Sequence, residues 1–358
     1  MKLAVLGGGN TGCCMAAEFT LRGFDVALYD EKSYWPEHID GILKNGGIVT
    51  LTGHDLTGDA KIYQITDSLP EAVEGAEIIF ISLVIWRHQA ICKALQQVLR
   101  PSQTVIFSAG NFASIRLRGI LGLDSPVVVG EMMGNIFPCR MLSDHTAIIA
   151  AKLTGKMVAA FPAQDTPKLL ESVGQVFPCT KGQNVFETAL NAPNVVVHLA
   201  GSLLNIASVE KNPKFGLYKE GLTPSVMKCI LAVEAEKRTV MDKMGYVMII
   251  HSDHMEKVMQ YDKFPELDDF RRLAGPSSRL HRYINEDAYS GDAMLLSLGE
   301  RLGIQLPTLR SLINIASVIN DRKYAVEGIT MDMLGIPGDT PETINQYLYT
   351  AKLDWQSV

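Results

Sequence analysis

Several things are scarce in this 358-residue sequence, and each scarcity excludes a class of protein. Its six cysteines, Cys13, Cys14, Cys92, Cys139, Cys179 and Cys229, form no CxxC pair and no disulfide-framework spacing. A stapled secreted scaffold is therefore excluded, and a reducing compartment fits. Positive charge is not in excess: 33 Lys and Arg stand against 39 Asp and Glu, a formal net charge of -6. That balance argues against DNA or an anionic membrane as partner. No apolar run approaches the ~20 residues needed to cross a bilayer. An apolar strand and a glycine loop follow Met1 at once, leaving no space for a secretory leader. The expectation is a cytoplasmic protein with small-molecule partners and neither nucleic acid nor membrane; a homodimer is compatible with it. Internal repeats and low-complexity tracts are missing as well.

What is present is ordinary globular material, 47% hydrophobic and 20% charged. The length exceeds what a single core usually accommodates, so two domains are expected. Residues Lys2–Leu6 form a short apolar run, "NTGCCMAAEFTLRG" has helical periodicity ending at Gly23, and "FDVALYD" is a second strand. This is a strand, helix, strand unit of the size of a parallel crossover. "EIIFISLV" and "TVIFSAG" continue the series around the helical "RHQAICKALQQVL", which predicts a parallel sheet covered on both faces. "GIVTLTG" and "AKIYQITD" look like antiparallel additions, and "HTAIIAAKLTGKMVAAFPA" like a hairpin turning at Gly155. After Gly182 long 3.6-periodic segments take over and strand signals cease. The expected fold is α/β: an N-terminal Rossmann-type dinucleotide-binding domain over residues 1–182, then an all-helical domain over residues 183–358.

"GGGNTG" gives Gly7, Gly9 and Gly12 in GxGxxG spacing. Gly7 permits the tight turn, Gly9 the approach of a pyrophosphate and Gly12 close packing of the helix, while the amides of the helix start, through Asn10 and Thr11, face the anion. The motif alone is weak, but here it follows a strand, opens a helix and precedes Asp30 and Glu31 at the end of the second strand. Asp30 is positioned to bond the adenosine ribose hydroxyls and to repel a 2'-phosphate, which predicts NAD rather than NADP. Cys13 and Cys14 in this loop are expected to be packing residues, not redox groups.

The helical half is expected to supply substrate groups. "LNAPNVVVHLAGSLLN" is an apolar helix interrupted by Asn191, Asn194 and His198, spaced to share one face. By spacing alone His198 is either a core histidine satisfied by a carbonyl or a functional group; the asparagines weigh towards function without deciding it. "SSRLHRYINEDAYSGD", with Arg279, Arg282, Glu286, Asp287 and Asp292, has by spacing alone the character of a solvated loop. His251 and His254 in "HSDHMEKV" lack a third ligand, so no metal is expected. Trp86, Arg87 and His88 follow a strand and either cover cofactor phosphates or begin the next helix.

Taken together, "LGGGNTG", "NIFPCR", "NAPNVVVHLAGSLLN", "YKEGLTPSV", "RYINED" and "YAVEGITMDMLGI", in that order along nearly the whole chain, resemble the opine dehydrogenases, a family that includes octopine and nopaline dehydrogenases and the bacterial N-(1-carboxyethyl)norvaline type. The resemblance implies that an α-keto acid and an amino acid condense to an imine, which NADH reduces to a secondary amine. It implies that His198 is the catalytic acid/base, Asp287 its carboxylate partner, and Arg282 the holder of a substrate carboxylate, with Arg140 as a further substrate contact; the asparagines Asn194 and Asn191 are expected to donate to the keto-acid oxygen or the nicotinamide amide. The family pattern has proline after the histidine, whereas this chain has Leu199. Two other readings stay open: a ketone reductase that makes a 2-hydroxy acid, and an inactive NAD sensor.

Overall fold

The computed structural model describes residues 1–53, 56–151 and 153–352. They form two compact units, Met1–Thr188 and Ala189–Val358. The division lies within a short helix, Val185–Leu190, a few residues beyond the expected boundary at Gly182.

The first unit is built on strands β1 (Lys2–Leu6), β2 (Asp25–Tyr29), β3 (Ile48–Gly53), β4 (Gly58–Lys61), β5 (Gln64–Thr66), β6 (Ile78–Ile81), β7 (Thr104–Phe107), β8 (Val128–Met132), β9 (Cys139–Met141), β10 (Thr146–Ile149), β11 (Lys156–Ala160) and β12 (Cys179–Lys181). The main sheet runs β12-β11-β8-β7-β6-β1-β2-β5. Its pairs are parallel except β8 with β11. Every residue of β6 and β7 is buried, as are Leu3–Leu6 of β1, because helices cover both faces. This explains why these strands appear in the sequence as continuous apolar runs without alternation. Strand order reverses between β1 and β6: the chain builds outward through β2 first, then returns to build through β6, β7 and β8 on the other side. In open parallel sheets that reversal leaves a crevice at the carboxyl ends of the strands.

The expected antiparallel additions form a separate sheet instead, ordered β4-β3-β10-β9, while β5 extends the main sheet as a parallel edge. The expected hairpin at Gly155 does not form. β10 alternates half-buried and buried residues and pairs parallel with β3; β11 is almost wholly buried and pairs antiparallel with β8. A strand with one wet face and a strand with none belong to different environments, and the turn between them is a crossing from one sheet to the other.

The second unit contains no strand among the described residues. Its central element is the Pro224–Met244 helix, begun by Thr223, whose side chain accepts from the Val226 amide at 3.3 Å, and stopped at Gly245 with φ +72°. Those are the start and stop signals expected of a free-standing helix sequence. The Asn194–Leu203 helix packs against it and against the Arg282–Tyr289 helix. Small residues let it approach other elements closely: a Cβ on Gly291, at the start of the Gly291–Arg301 helix, would come within 2.8 Å of Val195, and one on Gly201 within 2.9 Å of Leu217 in the Leu217–Gly221 turn. No helix among the described residues is long and apolar enough to cross a membrane.

Candidate active site

The glycine loop connects β1 to the Asn10–Leu21 helix at the point where strand order reverses. Gly7 has φ +123°, and a Cβ there would sit 2.3 Å from the Ser82 carbonyl oxygen, so only glycine allows β1 and the end of β6 to lie this close. A Cβ on Gly12 would stand 1.7 Å from the Gly7 carbonyl oxygen, which would push the helix off the loop. At Gly9 a Cβ would meet nothing within 4 Å, so the loop is open at the residue expected to face a pyrophosphate. The residues therefore fit a dinucleotide phosphate. Asn10 and Thr11, both partly buried, begin the helix. The Asn10 side chain is bound from one side, its Oδ1 accepting from the Met141 amide at 2.9 Å, which ties the loop to β9. Cys13 and Cys14 are fully buried, and burial pushes both thiols far above their usual range, as packing residues require.

Asp30 directly follows β2 and is almost completely buried. Its Oδ2 accepts from the Gly8 amide at 2.7 Å and its Oδ1 from the Glu31 amide at 2.9 Å. Its charge is matched by Arg87, whose Nη1 lies 2.6 Å from Oδ1. The undecided Trp86, Arg87 and His88 stretch thus divides. Arg87 ends the Ile85–Arg87 turn and reaches Asp30, while His88 opens the next helix as a buried core residue, 3.0 Å from the Leu83 carbonyl oxygen, its pKa lowered to about 4 by burial. His38, which the sequence does not single out, lies with Nε2 2.6 Å from the Gly8 carbonyl oxygen. Arg140 is on β9, paired opposite Ile148 in the small sheet of this unit.

In the second unit, Asn194 and His198 are one helical turn apart and reach the same carboxylate. Asn194 Nδ2 donates to Asp287 Oδ1 at 2.8 Å, and His198 Nδ1 lies 2.8 Å from Asp287 Oδ2. A carboxylate only accepts, so Nδ1 carries the hydrogen and the lone pair of the neutral imidazole falls on Nε2. Nε2 lies 2.9 Å from the hydroxyl of Tyr218, which then donates to it. The ring is held flat by Tyr283, stacked at 3.6 Å and 15°. Each polar atom of the imidazole thus has an assigned partner, and its plane is fixed by an aromatic face. The core-histidine alternative, a ring satisfied by a backbone carbonyl, does not describe this arrangement.

The Arg282–Tyr289 segment, which spacing alone assigns to a solvated loop, is a helix capped by His281, whose Nδ1 accepts from the Tyr283 amide at 3.3 Å. Its buried residues Tyr283, Ile284, Glu286, Asp287 and Ala288 face the unit's interior. Charge is a poor guide there because the charged groups are partnered and covered. Arg282 is partly buried and lies over the Tyr283 ring, 4.9 Å from its centroid. Burial works against its charge, but Tyr283, Asp287, Glu286 and Tyr218 outweigh that and hold its pKa above the usual arginine range. Asp292, fully buried with no hydrogen-bond partner on either oxygen, is pushed well above the usual carboxylate range by burial and then by Asp287.

Asn191 does not join the stripe. The helix starts at Asn194 behind Pro193, so Asn191 precedes it, fully buried, with both ends of its amide occupied. Its Nδ2 donates to the Val247 carbonyl at 2.7 Å and its Oδ1 accepts from the Ile249 amide at 2.9 Å. Its own carbonyl oxygen is 2.6 Å from His251 Nε2. It clamps the 247–251 segment. His251 is thereby accounted for, and His254 packs edge-on against Phe270. No group of three metal-ligating side chains occurs among the described residues. Tyr218 and Tyr283 are site residues that the sequence does not single out, although both lie inside quoted motifs.

Residues 181–320 match the family described as NAD/NADP octopine/nopaline dehydrogenase, alpha-helical domain. An opine dehydrogenase of Arthrobacter sp. (strain 1C) is 28% identical over 347 residues, covering 94% of this chain and 96% of that one. The chain thus matches the octopine/nopaline dehydrogenase model in its helical half and is similar along nearly its whole length to an opine dehydrogenase. Another relative, the protein ocs of Agrobacterium tumefaciens (strain Ach5), is 23% identical over 96% of this chain and 98% of its own. The solved structure of octopine dehydrogenase with NADH and L-arginine has the same fold, with a TM-score of 0.66 at 14% identity, over 99% of this chain and 98% of that one. Within the family pattern the departure at Leu199 leaves the helix intact: it runs unbroken from Asn194 to Leu203, with Leu199 buried. The imidazole is aimed by Asp287 and Tyr283, without a proline bend.

Proposed function

We propose that this chain is an NAD-dependent opine dehydrogenase that condenses an amino acid with an α-keto acid such as pyruvate and reduces the resulting imine to a secondary amine dicarboxylate. The observation that carries the reading is the Asp287–His198–Tyr218 chain, in which a carboxylate fixes one imidazole nitrogen and leaves the other as a proton acceptor. Gly7, Gly9, Asn10, Thr11, Gly12 and Asp30 are the groups that hold the cofactor, which when bound supplies the hydride.

The protein's own part is proton traffic and charge recognition. An amino acid arrives as an ammonium, which is not a nucleophile. His198 Nε2 takes its proton, with Tyr218 yielding its place, and Asp287 stabilises the imidazolium. The free amine adds to the ketone carbon, and the imidazolium returns a proton to the hydroxyl of the adduct, which leaves as water and forms the imine. Both substrates carry carboxylates, and Arg282, held fully charged, offers the planar fork that pairs with one of them. Arg140 is a second candidate for the other. Asn194 acts by holding Asp287.

Mass spectrometry of a reaction containing NADH, pyruvate and an amino acid pool tests this. A product equal to amino acid plus pyruvate, less water and plus two hydrogens, supports it. Lactate formed without the amine points to the 2-hydroxy acid reading instead.

A further inference from the structure

Asp30 discriminates against NADP only as long as its negative charge is unopposed, and in the structure it is opposed. β2 and β6 both pair with β1, so their carboxyl ends flank the glycine loop from opposite sides. Arg87, just after β6, reaches across to Asp30 at the end of β2 and binds it at 2.6 Å, with the side chains only 11% and 4% exposed. Asp30 is further committed to the Gly8 and Glu31 amides. A 2'-phosphate here meets a neutral pair, not a bare carboxylate.

Arg87 also has capacity to spare. Only Nη1 is needed for Asp30. Nε and Nη2, which form the side-on fork of a guanidinium, donate no hydrogen bond although both are buried. Nη2 is 3.4 Å from Glu31 Oε1, close enough for charge attraction. Above the group lies Tyr34, 4.3 Å from the guanidinium carbon to the ring centroid, itself 58% exposed on the three-residue turn Lys32–Tyr34. Buried N–H groups without partners are costly, and a side-on guanidinium edge matches a phosphate with two parallel hydrogen bonds.

Resting on the reading of the glycine loop as a dinucleotide site, we propose that Arg87 is a specificity-determining residue that makes the site accept NADPH as well as NADH, its Nε–Nη2 edge taking the 2'-phosphate when Tyr34 swings aside. Glu31, on the same edge, sets the limit by competing for Nη2. The pairing with Asp30 leaves the carboxylate in place for the ribose hydroxyls of NADH, so acceptance of one cofactor does not exclude the other.

The test is equilibrium binding of NADH and NADPH, and of 5'-ADP and 2',5'-ADP, by titration calorimetry on the full chain. The wild type is expected to bind the two dinucleotides within about tenfold of each other. Arg87→Gln is expected to weaken NADPH and 2',5'-ADP at least tenfold more than NADH and 5'-ADP, and Asp30→Asn to shift the ratio the opposite way. A wild-type preference for NADH above about a hundredfold overturns the proposal, and so does an Arg87→Gln variant that weakens both cofactors equally. Should Arg87→Gln not fold, the wild-type ratio and the charge-retaining Arg87→Lys decide: Arg87→Lys, which keeps the charge but loses the Nε–Nη2 fork, must weaken NADPH and 2',5'-ADP more than NADH and 5'-ADP. Absence of binding by every nucleotide overturns the dinucleotide reading itself, an outcome distinct from binding without discrimination.

Discussion

His198 Nδ1 stands 2.8 Å from Asp287 Oδ2 across 89 residues of chain, and the same carboxylate is held on its other oxygen by Asn194 at 2.8 Å. Two residues four apart on one helix thereby share a single anion on another. The tautomer, the orientation and the charge complement of the imidazole all follow from that contact.

Loss of the imidazole should abolish proton transfer while leaving the fold and cofactor binding intact. His198→Ala is expected to lower kcat about 10²–10⁴-fold, the usual contribution of a positioned acid/base. Asp287→Asn should fall in the same range, because an amide has one acceptor where the carboxylate has two, so its NH2 opposes either the Asn194 donor or the His198 Nδ1 hydrogen, and the charge that stabilises the imidazolium is lost. Steady-state kinetics alongside NADH titration separates this from unfolding; unchanged turnover in His198→Ala would remove the residue from the mechanism.

The two asparagines should part company. Asn191→Ala leaves the Val247 carbonyl and Ile249 amide without their partner. Both bonds are partly buried, and a hydrogen bond of this kind contributes about 0.5–1.5 kcal/mol. Its melting temperature should drop by several degrees with kcat per folded molecule retained. Asn194→Ala, which releases one oxygen of Asp287, should show the reverse pattern: little thermal change and a clear loss of kcat.

Arg282→Lys keeps the charge but not the fork. One charge-assisted hydrogen bond is worth about 1.5–3 kcal/mol, so KM for the substrate whose carboxylate it binds should rise roughly 10–100-fold. The two substrates, titrated separately, will show which one that is; equal KM values for both in variant and wild type would exclude the role.

Lys237 is fully buried on the Pro224–Met244 helix with no hydrogen-bond partner on Nζ, and burial, partly offset by Glu234, lowers its pKa to about 7. Unfolded, a lysine titrates near about 10.4. Between these values the unfolded chain binds the proton and the native chain does not, so stability rises with pH across that window, and below it the full penalty applies. Each pH unit of the window is worth about 1.4 kcal/mol, so Lys237→Met should stabilise the protein by a few kcal/mol at about pH 6 and by progressively less towards about pH 10. Denaturant unfolding at the two pH values checks the sign.

Much of the nucleotide unit is legible in the sequence because its signals are local. The glycine spacing follows β1 directly, and the fully apolar β6 and β7 announce a sheet covered on both sides. What stays hidden is set by long-range pairing. Nothing near β10 and β11 tells that they enter different sheets, since that depends on β3 and β8. Around the site, His198 and Asp287 are reached through resemblance and not through spacing; the charged 279–292 stretch looks solvated until its helix is packed against Asn194–Leu203. Arg87 is visible without a role, because its partner Asp30 lies across the glycine loop, and Asn191 is misplaced when the helix is extended back past Pro193.

The central claim is tested most directly by following NADH oxidation with pyruvate alone and with pyruvate plus an amino acid pool. Oxidation is expected only when both carbonyl and amine are present, and is expected to be lost in His198→Ala. Oxidation with pyruvate alone, at a rate the amino acids do not change, would contradict it.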